Sequence, residues 1–293
     1  MALFFTQLLA GIQNGAVYAS LAVALVLIFR TTGILNFAQG EMALYSTYIV
    51  WKLTTTGMPV WVAILAAIAI SFVGGAVVER VVIRPVERSS PLVVVIVTIG
   101  MFLAINSLTQ LQFGTGEQAM PSFYPQHTWR PGGVLISSDT LALVGVLAVE
   151  CLLLYFLLQH TKLGLAFRGV ASNPESSRLL GVPVGRILMV GWGLAAAVGA
   201  LAGALVVPTT TGLVPSSMQQ ILVFAFAAAA LGGFDSVLGA VVAGLVVGVA
   251  DALTTGYIHA LRGIDLLVPF GLILLVLLFR PAGLFGRTRV ERV

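Results

Sequence analysis

A cluster of polar residues follows the first long apolar run of the sequence. The segment Gly33–Met42 contains Asn36, Gln39 and Glu41. A carboxylate in or just inside the apolar part of a membrane is costly, so Glu41 is a candidate functional group by default. The alternative is an acid that stabilises the positive end of a helix near the interface. The residue types alone leave both interpretations open.

The same segment has the spacing of a helix start. Asn36 could cap a helix N-terminus, and Gln39, three residues later, could reach back to it as in a capping box. Polar side chains and Gly40 at a helix start beside an apolar run suggest the lining of a path through a membrane. We predict that this path is shaped or gated by Asn36, Phe37, Gln39, Gly40 and Glu41.

A second segment, 161–183, combines basic residues with the signals of a very short helix. Asn173 is a natural N-cap, and Pro174 suits the first helical position. Gly181 supplies a C-cap. The pattern predicts a two-turn helix over about 174–180. Such a helix is too short to be stable alone, so it must dock on a partner or on the protein's own surface.

Catalytic chemistry has little support in this sequence. The two lysines, Lys52 and Lys162, are each followed by leucine, so the Lys-Ser/Thr pair of a Walker A motif is missing. The sequence has no HExxH, no GxSxG with partner residues and no paired carboxylates in one short segment. The single cysteine, Cys151, excludes an intrachain disulfide and a cysteine-based zinc cluster. We expect no enzyme activity, no metal site and no cofactor.

Nine apolar runs organise the chain around these segments. Of its 293 residues, 59% are hydrophobic and 9% are charged, whereas about 25% are charged in a typical soluble domain. Roughly 20 mostly apolar residues are enough to cross a bilayer. The runs cover about 8–29, 36–53, 59–78, 92–110, 140–158, 187–207, 219–232, 236–253 and 266–279. They predict an all-α, polytopic membrane protein with eight or nine transmembrane or broken helices.

The seventh and eighth runs are so close together that they could form one broken element. Only four residues, Gly232-Gly233-Phe234-Asp235, separate them. Small residues let helix backbones approach closely in lipid. We therefore predict a role in helix packing, or in the break itself, for Gly232, Gly233, Ser236 and Gly239.

The basic residues are placed as in a protein oriented in a bilayer. If the runs cross the membrane in turn, twelve of the fifteen lysines and arginines lie in connections on the same side of the membrane. They are Arg30, Arg80, Arg84, Arg88, Lys162, Arg168, Arg178, Arg186, Arg280, Arg287, Arg289 and Arg292. The positive-inside rule makes that side cytoplasmic. This distribution predicts a cytoplasmic C-terminus, and it gives no reason to expect nucleic acid binding.

Lys52, Arg130 and Arg262 lie in connections on the other side of the membrane. With nine crossings, the distribution predicts an external N-terminus. The longest external loop is about 111–139, which is rich in glycine, proline and aromatic residues. Its aromatic side chains could anchor at the membrane interface. A docking surface for an external partner is the alternative.

Three segments of the chain resemble permeases of the branched-chain amino acid ABC importer family, specifically the high-affinity leucine permease type. They are 34–41, 167–181 and 231–240, so the resemblance extends from one end of the chain to the other. It implies one transmembrane permease domain over 1–293, in the cytoplasmic (inner) membrane of a bacterium. It also implies alternating access and transport of branched-chain or other small amino acids.

The resemblance further implies three kinds of partner: a second permease subunit, cytoplasmic ATP-binding subunits and an external solute-binding protein. ATP would be bound by the partners. The segment 161–183, within a cytoplasmic loop of about 159–186, would then couple ATP hydrolysis to transport by docking on the ATPase. The implied coupling residues are Gly164, Arg168, Asn173, Pro174, Glu175, Leu179 and Gly181.

Two other transport systems stay open. An ion-gradient-driven secondary transporter would place acids or histidines within its spans. Glu41, Glu150 and Asp251 are the candidate acids, while none of the three histidines lies in the middle of a run. An ABC importer for urea or short-chain amides would share the same sequence features.

Overall fold

Helices make up most of the described part of the chain. The computed structural model describes residues 1–87, 89–120, 122, 125, 127–206, 212–258, 264, 266–280 and 282–286. Five residues named above lie outside the described residues: Arg88, Arg262, Arg287, Arg289 and Arg292. The described helices agree with the all-α, polytopic prediction, which is confirmed.

The described elements comprise eleven α-helices and one small hairpin. The helices are α1 Ala2–Thr32, α2 Gln39–Thr55, α3 Val60–Val78, α4 Pro91–Phe113, α5 Ser138–His160, α6 Lys162–Ser172, α7 Pro174–Leu179, α8 Val184–Val206, α9 Ser217–Gly232, α10 Val237–Tyr257 and α11 Leu267–Phe279. A π-helical segment, Glu79–Ile83, continues α3. The strands β1 Thr128–Trp129 and β2 Ile136–Ser137 pair antiparallel, with one 3-10 turn at Pro131–Gly133 between them.

Each of the nine apolar runs is a helix, which follows from the length and apolarity that a bilayer crossing requires. Six helices of the described chain are long and apolar enough to cross a membrane: α1, α3 with its π-helical extension, α4, α5, α8 and α10. Two more apolar helices, α9 and α11, are shorter. The predicted boundaries differ by a few residues, and α2 begins at Gln39 rather than at residue 36.

The chain forms two compact units. The first comprises Met1–Val26, Tyr124–Leu147 and Gln220–Val293. Within it, α1 and α10 make backbone contact, since a Cβ added at Gly244 would lie 2.6 Å from the Cα of Ala19. Gly11 and Gly15 of α1 also face α10, with the small-residue spacing that permits close helix packing in lipid.

The second unit comprises Leu27–Phe123 and Ala148–Gln219. Its central helix is α8, which packs against both α2 and α3, while α2 also packs against α3 and α4. Glycines allow these helices to approach closely. A Cβ added at Gly193 of α8, for example, would lie 2.8 Å from the carbonyl oxygen of Phe72. This unit holds the polar segment of α2 and the short helix α7.

Two neighbouring glycines of α3 test this packing directly. An added Cβ at Gly75 would lie 2.5 Å from the Trp192 carbonyl oxygen, whereas one at Gly74 meets nothing within 4 Å. Overpacking costs about 1–3 kcal/mol, whereas alanine is favoured over glycine in a helix by up to about 1 kcal/mol. Gly75→Ala should therefore lower Tm by several degrees in detergent, and Gly74→Ala should maintain or raise it. Equal Tm values for the two variants would contradict this packing.

Candidate functional site

The carboxyl group of Glu41 is buried in the second unit, and one of its two oxygens has no hydrogen-bond partner in the described chain. Glu41 lies in the first turn of α2 and is fully buried. Its Oε2 accepts a hydrogen bond of 2.9 Å from the Asn106 amide of α4. Its Oε1 has no hydrogen-bond partner in the described chain. A buried acceptor without a partner is costly and uncommon, which makes this position a candidate for a role other than packing.

Asn106 connects this carboxyl group to two other segments. Its Nδ2 also donates to the carbonyl oxygen of Pro215 at 2.9 Å, and its Oδ1 accepts from the Gln110 side chain at 2.6 Å. The side chain of Gln219 lies near the same carboxyl group. The polar cluster therefore joins α2, α4 and the start of α9. Sequence analysis missed Asn106, although two amides four residues apart in an apolar run would have indicated a polar helix face.

The predicted capping box at the start of α2 is wrong. The helix begins at Gln39 after Ala38, which makes no side-chain cap. Asn36 lies two residues before that cap, and its Oδ1 accepts from the Ala38 backbone N–H at 3.0 Å. Its amide donates to Gln39 Oε1 at 3.1 Å, so the two side chains pair with each other. The Gln39 amide then donates to the carbonyl oxygen of Ala195 in α8 at 2.9 Å.

The predicted path residues thus lie together at the entry to α2. Asn36, Gln39, Gly40 and Glu41 are buried, while Phe37 is half-buried. Asn36 and Gln39 hold this entry against α8. Of these five residues, only Glu41 has a buried side-chain atom without a hydrogen-bond partner among the residues that the structure describes.

An aromatic cluster follows the polar cluster along α2. The Tyr48 ring stacks on Phe113 of α4 at a centroid distance of 5.0 Å, and Trp51 contacts both rings edge-on. The Tyr45 hydroxyl donates to the Gln112 side chain at 2.7 Å. The α2–α4 contact therefore changes from polar to aromatic along its length.

The segment 161–183 contains two helices rather than one. The prediction of a short helix over 174–180 matches α7, with Asn173 as its cap, since the Asn173 side chain accepts from the Ser176 backbone N–H at 2.9 Å. Gly181 follows at φ 79°, a conformation that favours glycine. The additional helix is α6, which was not predicted. It buries Phe167 and Val170 against α8, so tertiary packing accounts for its formation.

The α7 helix presents apolar side chains outward. Leu179 is 89% exposed and Leu180 is 83% exposed, although both are large and apolar. Beside them, the side chains of Glu175 and Arg178 are also exposed, whereas Ser177 faces inward and is buried. A helix end with two adjacent exposed leucines is suited to insertion into an apolar pocket of another molecule.

Gly164 and Arg168 lie apart from α7, at the corner between α5 and α6. Thr161 caps α6 by accepting from the Gly164 backbone N–H at 3.0 Å. A Cβ at Gly164 would lie 2.2 Å from the Leu158 carbonyl oxygen, so only glycine fits there. Arg168 folds back to donate to that same oxygen and to the Gln159 side chain. In the described chain, both residues make structural contacts at this corner.

The glycine-rich connection between α9 and α10 lies in the first unit. Gly233 follows α9 with φ 96°, and Ser236 caps α10 by accepting from the Gly239 backbone N–H at 3.0 Å. Gly232 and Gly239 are in backbone contact, since a Cβ at either would lie 2.3 Å from backbone oxygen of the other. The chain is therefore interrupted here and does not continue as one helix.

Comparison with known proteins gives a consistent result. The family described as "Branched-chain amino acid transport system / permease component" matches residues 7–277. The high-affinity branched-chain amino acid transport system permease protein LivH of Salmonella typhimurium is 30% identical, over 99% of this chain and 98% of that protein. BraD of Pseudomonas aeruginosa, a permease protein of the same description, is 29% identical with the same coverage. The probable branched-chain amino acid transport permease protein LivH of Methanocaldococcus jannaschii is 26% identical, over 94% of this chain and 91% of that protein.

Proposed function

Because the chain belongs to the branched-chain amino acid transport system permease family, we propose that it is the permease of an importer that carries branched-chain amino acids across the membrane. The observation that carries this proposal is the similarity to LivH over 99% of the chain and 98% of the relative. The helices that are long and apolar enough to cross a bilayer fit a multi-pass membrane protein.

We propose that the substrate path passes the entry to α2. The support is the buried Glu41 carboxyl group, whose Oε1 has no partner in the described chain. An amino acid carries an ammonium group, and a charge-assisted hydrogen bond to a carboxylate would offset its loss of hydration. Asn36, Phe37, Gln39 and Gly40 would position α2 so that Glu41 faces the path. This role stays a proposal for all five residues.

The energy for transport would come from ATP bound by separate subunits. The sequence lacks the Lys-Ser/Thr pair of a Walker A motif, and the two exposed leucines of α7 offer a docking feature for such a subunit. A second permease chain and an external solute-binding protein would complete the importer. The similarity to bacterial permeases supports a bacterial inner-membrane location. The distribution of basic residues supports an orientation with α7 and the C-terminus on the cytoplasmic side.

Reconstitution tests these proposals together. We expect leucine uptake into proteoliposomes to require the ATPase subunits, the binding protein and ATP on the face that carries α7. A cysteine in place of Ser172, in a Cys151→Ser background, identifies that face by its labelling with a membrane-impermeant maleimide. Leucine uptake by the chain alone under an ion gradient would contradict the proposal and favour a secondary transporter. ATP-dependent uptake of urea or amides in place of leucine would refute only the proposed substrate.

A further inference from the structure

Four arginines line one cleft of the second unit, with a volume of about 820 Å³. They come from three parts of the chain. Arg80 and Arg84 lie at the end of the α3 span, Arg178 belongs to α7, and Arg186 lies in the first turn of α8. The rest of the lining is residues 181–185 and Met189. A cleft with this lining is suited to an anion, because guanidinium groups bind oxyanions through paired hydrogen bonds.

Two acidic residues pair with two of these arginines. Arg84 forms a two-point pair with the buried Glu79, with N–O distances of 2.7 and 3.1 Å, and also donates to the carbonyl oxygen of Gly185. Arg84 is therefore held as a fixed wall of the cleft. The second pair joins the exposed Arg178 to the half-buried Glu87, at a long N–O distance of 3.8 Å. A pair of this kind contributes little, so Arg178 can turn toward a ligand.

Arg80 and Arg186 are the unmatched charges. Both are exposed, and neither has an acidic side chain within 4.0 Å among the described residues. Four arginines against two carboxylates leave two positive charges facing the cleft. A phosphate group, which carries one or two negative charges and accepts several hydrogen bonds, matches this excess.

The position of the cleft indicates where such a group would come from. Val77 and Val81, on the same helical segment as Arg80 and Arg84, are 52% and 64% exposed. Exposed valines four residues apart form an apolar face of a span, and the arginines lie where that span ends. Lipid phosphates lie at this depth, and basic pockets at the ends of spans bind anionic headgroups.

We propose that this cleft binds a phosphate group, carried by an anionic lipid or free in solution. The bound phosphate bridges Arg80 of the α3 span and Arg186 of α8, with Arg178 of α7 as a third contact. It therefore joins α7 to the membrane-embedded part of the second unit. The site is independent of the substrate path, and its test measures binding without transport.

The test uses the purified full-length chain in a neutral detergent. Tm is measured while short-chain phosphatidylglycerol, short-chain phosphatidylcholine or inorganic phosphate is added. We expect phosphatidylglycerol to raise Tm by several degrees and phosphatidylcholine to leave it unchanged. Arg80→Gln with Arg186→Gln should weaken the apparent affinity for phosphatidylglycerol at least about tenfold, because two charged contacts are lost. Arg280→Gln, which removes an exposed arginine outside the cleft, should bind as the unaltered chain does.

Each other outcome has a defined meaning. An equal rise in Tm with inorganic phosphate, lost in the double variant, would support the site and identify free phosphate as the ligand. The proposal would be overturned if neither phosphatidylglycerol nor inorganic phosphate raised Tm, or if Tm rose equally in the double variant. Loss of ATPase binding in the double variant without any effect of phosphate compounds would also overturn it, because the cleft would then receive an acidic segment of the ATPase.

Discussion

Replacing Glu41 by glutamine should lower leucine uptake about tenfold or more while the transporter still assembles. Glutamine preserves the shape of the side chain and still offers an oxygen to the Asn106 amide, which donates to Glu41 at 2.9 Å. It removes the negative charge beside the unpartnered Oε1. A hydrogen bond to a charged group is worth about 1.5–3 kcal/mol, and about 1.4 kcal/mol changes a rate tenfold. Initial rates of uptake in the reconstituted importer measure the effect.

A control variant separates this effect from general damage to the helix contact. Thr109 of α4 is also buried, but among the described residues its hydroxyl donates only to the Ile105 carbonyl oxygen of its own helix, at 2.8 Å. Thr109→Val preserves its shape and should leave uptake within about twofold, since few contacts between helices change. Uptake by Glu41→Gln at the unaltered rate would exclude the Glu41 charge from the transport path.

The sequence predicts those features of the fold that depend on neighbouring residues. The membrane spans can be predicted from the sequence because each must be one continuous apolar segment long enough to cross the bilayer. The α7 helix can also be predicted from local sequence. Its cap, Asn173, accepts from the backbone N–H of Ser176, three residues later, and the positive φ after the helix requires a glycine at Gly181. Both kinds of prediction agree with the structure.

The polar cluster around Glu41 depends on distant residues instead. The Gln39 amide binds the Ala195 carbonyl oxygen, 156 positions later, and Asn106 reaches Glu41 across 65 positions. The local spacing of Asn36 and Gln39 fits a capping box. It does not reveal that Gln39 instead donates to a carbonyl oxygen of α8. The α6 helix was missed for the same reason, since its apolar residues become a helix face only when α8 is there to cover them.

Replacing both Leu179 and Leu180 by alanine should weaken binding of the proposed cytoplasmic ATPase subunit roughly 100-fold. The two side chains are 89% and 83% exposed in the isolated chain, so their removal leaves the fold intact. Burial of a leucine side chain contributes about 1.5–3 kcal/mol, and roughly 3 kcal/mol lost from two of them corresponds to about 100-fold in Kd. Titration of purified ATPase onto the immobilised permease measures this affinity.

Two further variants test whether the contact belongs to α7 itself. Leu92→Ala shortens another highly exposed leucine, 68% exposed at the start of α4, and should leave the affinity unchanged. Asn173→Ala preserves both leucines but removes the α7 cap, which costs about 1 kcal/mol and should reduce affinity about fivefold. We therefore expect the largest loss of affinity in the double leucine variant, a smaller loss in Asn173→Ala and none in Leu92→Ala, because α7 holds the two leucines in place. Unchanged affinity in the double variant would show that the ATPase binds elsewhere, and α7 would then be a helix of the protein's own surface.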